Sequence, residues 1–211
     1  MKSISYAVPV CNELNELKNL TQYLLKYKSP LDEVVILVDE TNHTQEVKDY
    51  VELFAEENMD ANVIRAYHPL DKNFAKHKNY LNSLCSGDWI FQLDADEYPD
   101  EYLMQGIPYM IENNPEVEAY WVSRINTVSG LTSEHIEKWG WQVNREGWVN
   151  FPDRQMRLYK NSPNIEWQGK VHEQLIGYNK FGQMPSNPEY CIHHPKSIER
   201  QEKQNKFYDT I

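Results

Sequence analysis

Cysteine is scarce in this sequence of 211 residues, a length that suits one domain or one domain with a short appendage. The three cysteines, Cys11, Cys85 and Cys191, lie far apart, and no two have the spacing of a zinc site or a redox-active pair. Such cysteines are typical of ordinary thiols in a reducing compartment. We therefore expect a cytoplasmic protein.

Long apolar runs are absent as well. The longest aliphatic run is Val34–Val38, whereas a membrane-spanning helix needs roughly 20 apolar residues. The N-terminal residues Met1–Tyr6 lead directly into a strand-like pattern and contain no signal-peptide core. With 40% apolar and 12% aromatic residues, the composition predicts a folded protein without a transmembrane segment.

Positive charge is in the minority. The chain has 21 lysines and arginines against 32 aspartates and glutamates, so its formal net charge is −11. Phosphate backbones and anionic membranes select basic surfaces, which argues against a nucleic-acid partner or a membrane-surface partner. The composition leaves open which ligand so acidic a protein binds.

Strand and helix patterns alternate through the first half of the chain. Strands are predicted at Ser3–Val10, Glu33–Val38, Asn62–Ala66 and Trp89–Leu93. Helices are predicted after a cap at Asn12, at Thr44–Asn58 and at Lys72–Cys85. This alternation predicts an α/β fold, in which a mostly parallel sheet has helices on both faces. Ligands of such sheets bind beyond the carboxyl ends of the strands.

The second half has a different pattern. A helix is predicted at Asp100–Asn113, a strand at Glu118–Val128, and an irregular segment at Gly130–Asn150. Short strands at Gln155–Tyr159, Lys170–Ile176 and Glu189–His193, followed by a polar helix at Lys196–Tyr208, complete the prediction. We expect this half to add a small antiparallel unit to the sheet.

Two carboxylates follow the fourth predicted strand, in Asp94-Ala95-Asp96. Residues i and i+2 of an extended chain point the same way, so both carboxylates can face one ligand. Hard carboxylate oxygens suit Mg²⁺ or Mn²⁺, and these ions in turn hold a diphosphate. An isolated Asp-x-Asp can equally be a solvated acidic turn, so the context of the pair decides its interpretation.

That context resembles family-2 glycosyltransferases over residues 4–175, and most closely the branch of the lipopolysaccharide core glucosyltransferases. The resemblance rests on motifs that occur in the order expected for that family. They are Val8–Glu13, Val38-Asp39, Asn73–Asn79, Gly87–Ile90, Leu93–Glu97, Gly147-Trp148, Pro152–Tyr159 and Val171–Glu173. One departure is His77-Lys78-Asn79, where many relatives have Ala-Arg-Asn; the positive charge is kept and bidentate recognition is lost.

The resemblance implies a GT-A fold over residues 1–211. Residues 1–99 would bind the nucleotide sugar, and residues 100–211 would complete the metal and acceptor sites. It leaves open that these residues are the first module of a longer enzyme. Asp39 would contact the uracil or ribose, and Pro9 and Glu13 would shape the same pocket.

The resemblance also implies a metal site. Asp94 would lie on the ribose side and contribute to the metal, Asp96 would bind the metal that bridges the donor diphosphate, and His172 would be a further ligand. Imidazole tolerates Mn²⁺ better than Mg²⁺, which favours manganese. A structural hydrogen bond is the alternative role for His172. The neighbouring pair His193-His194 is interpreted as ordinary histidines at the end of a strand.

Sugar transfer with inversion needs a carboxylate base for the acceptor hydroxyl. Asp153 is the first candidate, followed by Glu173 and Glu97; an ion pair with Arg154 or Arg157 is the alternative role for Asp153. Cations must also hold the departing diphosphate.

Arg157 and Lys76 are the candidates for that cationic role, and for Lys76 a solvated surface position is an equal alternative. Three tryptophans in the irregular segment, Trp139, Trp141 and Trp148, are either acceptor platforms or core anchors.

The function that the resemblance implies is transfer of a sugar from a nucleotide-diphosphate donor, UDP-linked by preference, to a hydroxyl of a glycan or glycoconjugate. The reaction would depend on a metal and invert the anomeric centre. One rival is a sugar-1-phosphate nucleotidyltransferase, whose glycine-rich N-terminal loop this sequence lacks. Another is a carbohydrate-binding domain that keeps the fold without catalysis.

Overall fold

The first half of the chain has the predicted alternation of strands and helices. The computed structural model describes residues 2–208. Its first seven elements are β1 (Ile4–Val10), α1 (Leu14–Tyr27), β2 (Glu33–Asp39), α2 (Gln45–Glu57), β3 (Val63–His68), α3 (Phe74–Leu84) and β4 (Trp89–Gln92). Every residue of β2 is buried, as expected of a central strand whose two faces are both covered by helices.

The second half contains two long strands, several short strands and three α-helices. Its elements are β5 (Tyr98–Pro99), α4 (Glu101–Asn113), β6 (Ala119–Ser129), α5 (Ser133–Trp139), β7 (Val149–Lys160), β8 (Glu166–Gln168), β9 (Gln174–Ile176), β10 (Phe181–Gln183), β11 (Ile192–Ser197) and α6 (Ile198–Tyr208). No helix in the described part of the chain is long and apolar enough to cross a membrane.

One large sheet runs through the molecule in the order β3-β2-β1-β4-β7-β6-β11-β5, and β10 also pairs with β6. β1 is parallel to β2 and β4, and β6 is parallel to β10 and β11. β7 is antiparallel to both β4 and β6 and joins the two parallel groups. β8 and β9 form a separate antiparallel pair. The predicted mostly parallel sheet with a small antiparallel addition is therefore confirmed.

Helices cover both faces of this sheet. One core cluster joins the sheet to apolar residues of α1, α2 and α4, among them Leu17, Val51 and Leu103. The second cluster joins the opposite face to α3 and the β8–β9 pair through Leu81 and Trp167. Burying each of these large apolar side chains contributes about 1.5–3 kcal/mol, so both helical layers are held mainly by apolar packing.

The start of α1 differs from the prediction. Asn12 does not cap this helix; Glu13 stands at the N-cap position and makes no side-chain cap bond. Its carboxylate instead accepts hydrogen bonds from the backbone amides of Cys11 and Asn12, both at 2.9 Å. Glu13 therefore stabilises the turn between β1 and α1 by bonding the backbone amides of the turn.

Three predictions in the second half were wrong. The strand predicted at Glu189–His193 is one, because Pro188–Tyr190 is a 3-10 helix and β11 begins at Ile192. The segment Gly130–Asn150 is not irregular throughout, because the Thr132 side chain caps α5 in a capping box with His135. Lys170–Ile176 is not one strand, because the backbone of Gly169 and His172 has positive φ angles of 104° and 54°. Only Gln174–Ile176 is extended there, which places His172 in a turn.

The strand register brings both halves of the chain to one edge of the sheet. Phe91 of β4 pairs with Leu158 of antiparallel β7, so the residues of β7 before Arg157 extend past the end of β4. Thr127 of β6 pairs with Pro195 of parallel β11. The carboxyl ends of β1, β2, β4, β6 and β11 therefore meet the beginning of β7.

Candidate active site

A tight turn presents the acidic residues that follow β4. The Glu97 amide donates to the Asp94 carbonyl at 2.9 Å. In return, the Glu97 carboxylate accepts a hydrogen bond from the Asp94 amide at 3.0 Å. The turn leaves Asp94 partly exposed and Asp96 largely buried, while the side chain of Glu97 is 0% exposed.

Arg157 lies beneath Asp94. Its Nη2 atom donates to Asp94 Oδ2 at 2.7 Å and to Glu97 Oε1 at 2.6 Å. Burial disfavours ionisation of Asp94, but the charges of Arg157 and Lys78 outweigh it and hold the pKa of Asp94 well below its usual range. Arg157 is itself buried. Its direct contact with a donor diphosphate stays a prediction.

Asp153, the first candidate for the base, pairs with Arg124. Arg124 Nη2 lies 2.7 Å from Asp153 Oδ2, and Asn126 Nδ2 donates to the same oxygen at 2.8 Å. Gln155 donates to the other oxygen at 2.6 Å. Burial raises the pKa of Asp153, but Arg124 and these hydrogen bonds more than offset it, so the pKa lies below its ordinary value. The sequence had suggested Arg154 or Arg157 as the partner.

Asp96 is surrounded by basic groups from the end of the described chain. Its Oδ2 atom lies 3.2 Å from His194 Nε2, 3.4 Å from Arg200 Nη2 and 3.7 Å from Lys196 Nζ. Burial opposes ionisation, but the hydrogen bond and charge of His194, together with Lys196, lower the pKa of Asp96 to about 2. Asp96 is therefore a carboxylate at neutral pH.

The interpretation of His194 as an ordinary strand-end histidine does not describe its position. His194 is buried in β11 and points at Asp96, whereas His193 stacks on Tyr98 with 5.0 Å between ring centroids. Alternation along a strand puts His194 and Lys196 on one face and His193 on the other. That alternation was the one signal in the sequence that could have found His194.

A hydrogen-bond chain orients His194. Asn126 Nδ2 donates to Asp153, so its Oδ1 atom faces His194 Nδ1, at 2.6 Å. Nδ1 therefore carries a proton, and Nε2 is the ring atom that faces Asp96. Buttressing of this kind is what metal-binding histidines have in proteins.

Asp96 and His194 together fit a divalent cation. Adjacent ligand atoms of an octahedral ion, each about 2.1 Å from it, lie about 3 Å apart, and the two side-chain atoms are 3.2 Å apart. Within residues 2–208, no group of three His, Cys, Asp or Glu side chains is arranged to hold a metal. The predicted trio with His172 is therefore not preassembled, and His172, exposed in its turn, stays a predicted ligand.

The residues predicted to bind the nucleotide lie at the ends of β1 and β2. Asp39 is buried and accepts hydrogen bonds from the amides of Thr41 and Leu70, both at 3.1 Å, and from Asn42 Nδ2 at 2.8 Å. These bonds outweigh its burial and lower the pKa of Asp39. Pro9 pairs with Leu37 in the sheet. The site therefore has a preformed edge on this side.

Glu173 and Lys76 lie on the α3 side. Glu173 forms an ion pair with the buried Lys78, whose Nζ atom also lies 4.5 Å from the centre of the Trp167 ring. Lys76 is exposed near the start of α3 and lines a cleft of about 370 Å³ with Asn79. The role of Glu173 as a base and that of Lys76 as a diphosphate contact stay predictions.

A second cleft, of about 560 Å³, lies over the β6 and β11 end of the edge. Its walls include Ser129, Gly147, Lys196 and Arg200. The tryptophans lie on the 130–150 segment that also supplies Gly147, and they are half-buried. Trp139 contacts Trp141 with 4.6 Å between ring centroids, and Trp148 contacts Phe151 at 4.8 Å.

The sequence model of glycosyl transferase family 2 matches residues 5–173, which is most of the chain. The chain belongs to glycosyltransferase family 2. It is therefore a glycosyltransferase domain, and Asp39, Asp94, Asp96 and Asp153 lie inside the matched region. His194, Lys196 and Arg200 lie beyond the match and were brought to the site by the fold.

Solved structures support the fold of this family-2 domain. TarS 1–349 of S. aureus has a TM-score of 0.60 at 14% identity, over 92% of this chain and 60% of that chain. The TarS 1–349 complex with UDP-GlcNAc has a TM-score of 0.61 at 16% identity, over 93% and 59%. The predicted GT-A fold is confirmed. This chain spans about 60% of the length of TarS 1–349.

A more distant likeness is the mannosyltransferase PcManGT from Pyrobaculum calidifontis in complex with GDP-Man and Mn²⁺. Its TM-score is 0.49 at 19% identity, over 58% of this chain and 35% of that chain. The search of curated proteins finds no similar sequence.

Proposed function

We propose that this family-2 enzyme transfers a sugar from a UDP-sugar to a hydroxyl of a glycan or glycoconjugate, with a divalent metal and with inversion. The observation that carries the proposal is the Asp96–His194 pair, beside Asp94 and on the same sheet edge as Asp39. The UDP donor is supported by TarS, a structure of the same fold in complex with UDP-GlcNAc. The lipopolysaccharide core branch and a cytoplasmic location belong to the same proposal.

Asp96 and His194 would hold the metal, with Asp94 beside them and His172 as a predicted further ligand. Two protein ligands suffice for Mn²⁺ or Mg²⁺ in such sites, because substrate phosphates and water complete the coordination. When bound, the metal neutralises the charge that develops on the departing diphosphate. Lys196 and Arg200, both within 3.7 Å of Asp96, bring further positive charge to the same place.

Asp153 would accept the proton of the acceptor hydroxyl. It lies on β7, which pairs with β6, one of the strands that line the second cleft. Its lowered pKa keeps it ionised at neutral pH, so it can accept a hydrogen bond from an incoming hydroxyl. Glu173, the second candidate, is paired with Lys78 on the α3 side, whereas Asp153 is linked through Arg124 to Glu97, beside the proposed metal site. Residues 1–99 would thus bind the nucleotide sugar, and residues 100–211 would complete the metal and acceptor sites.

The proposal is tested by incubating the protein with Mn²⁺ and a panel of UDP- and GDP-sugars and measuring nucleotide release, with and without EDTA. We expect one UDP-sugar to release UDP only when the metal is present. Asp96→Ala should lower the rate at least a hundredfold, since it removes the charge that holds the metal. Asp60→Ala, at an exposed acidic residue far along the chain from the site, is the matched control and should be unaffected.

Other outcomes would move the assignment. Pyrophosphate release from a sugar 1-phosphate and a nucleoside triphosphate would identify a nucleotidyltransferase. Tight sugar binding with no turnover of any donor would identify a carbohydrate-binding domain. Near-normal turnover by Asp96→Ala would show that the metal site is elsewhere.

A further inference from the structure

Glu97 is the most enclosed acidic side chain of the candidate site. Its Oε1 atom accepts from Arg157 Nη2 at 2.6 Å and from Arg124 Nη1 at 2.9 Å, and its Oε2 atom accepts from the Asp94 amide at 3.0 Å. The side chain is 0% exposed, so a substrate cannot reach it. Its role is therefore exerted through the groups that it contacts.

Those contacts form a chain of alternating charges. Arg157 bridges Glu97 to Asp94, and Arg124 bridges Glu97 to Asp153. The three carboxylates and two guanidiniums leave one net negative charge, so neither outer carboxylate is fully neutralised. Each guanidinium is instead divided between Glu97 and one outer carboxylate.

We propose that Glu97 is a positioning residue that holds the donor-side carboxylate Asp94 and the base Asp153 at a fixed separation. By sharing Arg157 and Arg124, it also keeps either arginine from pairing fully with its outer carboxylate. The inference rests on the proposed function, which assigns Asp94 to the donor side and Asp153 to the base. It assigns Glu97 neither proton transfer nor metal binding, although the sequence had ranked it third as a base.

Removing the charge of Glu97 changes how the two guanidiniums are shared. In Glu97→Gln, two positive groups face two carboxylates, so each arginine binds its outer partner more closely. Asp153 is then less free to turn to an acceptor hydroxyl. Misplacement of a reacting group by about 1 Å costs up to a hundredfold in rate, so we expect turnover to fall on the order of tenfold to a hundredfold.

The experiment compares Glu97→Gln with the matched control Glu101→Gln, using Mn²⁺ and the UDP-sugar that the wild-type protein consumes. Glu101 is exposed at the start of α4, where its carboxylate accepts a hydrogen bond from the Gln105 side chain. The decisive variant is Glu97→Gln combined with Arg124→Gln. The second change removes the excess positive charge beside Asp153. We therefore expect kcat of the double variant to be at least tenfold higher than that of Glu97→Gln alone.

A residue that only stabilised the fold would behave differently, because a second buried substitution would lower activity further. Turnover of Glu97→Gln equal to that of Glu101→Gln, or no recovery in the double variant, would overturn the proposal. Circular dichroism at the assay temperature establishes that each variant is folded.

A readout without turnover separates this inference from the proposed function. If the wild-type protein consumes no nucleotide sugar, the proposed function fails, while the role of Glu97 is still tested by NMR of ¹⁵N-labelled arginine. We expect Arg124→Gln to shift the Nε–H signal of Arg157, since Glu97 connects them, and Glu101→Gln to leave it in place. This measurement also serves if Glu97→Gln does not fold. An unchanged Arg157 signal in Arg124→Gln would sink the inference.

Discussion

Two aspartates of one motif have different surroundings. Asp94 is paired from below with a buried arginine, which is itself shared with Glu97. Asp96 faces His194, Lys196 and Arg200, all supplied from the last part of the described chain. Asp94 is therefore held by a group of β7, while Asp96 is held by groups of β11 and α6.

The depressed pKa of Asp96 predicts a pH-dependent contribution to stability. The shift from 3.8 to about 2 corresponds to about 2 kcal/mol. Because the pKa is lower in the folded protein, this contribution is complete above about pH 4 and is lost as the pH falls through 2. We expect Asp96→Asn to lower the free energy of unfolding by about 2 kcal/mol at pH 7 and by almost nothing near pH 2, as measured by urea denaturation without metal.

Asp60→Asn is the control for this experiment, because Asp60 is exposed. The difference in unfolding free energy between wild type and Asp96→Asn should be constant above pH 5 and should disappear in acid. The difference between wild type and Asp60→Asn should show no such change with pH. A constant difference between wild type and Asp96→Asn from pH 7 down to pH 2 would contradict the role given to the charge of Asp96.

The sequence indicated the acidic residues of the candidate site and missed the basic groups that surround Asp96. Asp94 and Asp96 could be found because they follow a buried strand at the spacing of extended chain. His194 lies 98 residues away from its partner Asp96, and its neighbour His193 made the pair resemble surface histidines. The pairing of Asp153 with Arg124 depends on the register of β6 and β7, which residue spacing does not encode.

At the scale of elements, one asparagine attaches the β8–β9 pair to α3. Asn79 Nδ2 donates to the Trp167 carbonyl and Asn79 Oδ1 accepts from the Trp167 amide, both at 2.8 Å. The side-chain amide thus pairs with the edge of β8 as a neighbouring strand would. The Trp167 indole also donates to the Tyr159 hydroxyl at 3.1 Å. These bonds fix the segment that leads to Glu173.

Asn79→Ala should loosen this pair of strands. It removes two hydrogen bonds and leaves two backbone groups of Trp167 without that partner, so we expect a loss of about 2 kcal/mol in unfolding free energy. Hydrogen exchange of the amides in residues 166–176 should speed up more than that of β1 or β2. Asn113→Ala is the control, since Asn113 is exposed and its side chain donates a hydrogen bond to the Tyr109 carbonyl of its own helix. Equal exchange in both variants would refute the attachment.

Elements were predicted best where burial is uniform. β1, β2 and β4 are almost entirely buried strands, so their pattern is strong. β7 spans 12 residues although only five were predicted, because its first part alternates between exposed and half-buried positions that include Asn150 and Asp153. β5 and β10 have two and three residues and are held by their partners in the sheet. Such strands have no local signal.

At the scale of the molecule, the protein's net charge of −11 repels an anionic donor. The cations close to Asp96 are already shared with carboxylates, for Arg200 also bonds Glu13 and Glu16 at 3.2 and 2.5 Å. The site therefore has little uncompensated positive charge of its own. A divalent cation that accompanies the diphosphate would remove this opposition.

Binding of UDP should therefore depend on metal. We expect Mn²⁺ and UDP together to raise the melting temperature by about 5–10 °C at a hundred times Kd, and UDP with EDTA to raise it far less. Scanning fluorimetry measures both. Uridine, which lacks the diphosphate, is the control and should give the same small shift with or without Mn²⁺. A UDP shift that EDTA leaves unchanged would contradict a metal-bridged diphosphate.

The ion pairs of Arg200 have a consequence for the order in which the protein matures. Arg200 and Glu16 are 184 positions apart, and His194 follows Asp96 by 98. At 5–20 residues per second, a ribosome delivers Asp96 about 5–20 s before its histidine. During that interval the β1–β4 half can fold, but its acidic edge has no cation from β11 or α6. A nascent chain therefore lacks the basic groups that surround Asp96 until β11 and α6 have been synthesised.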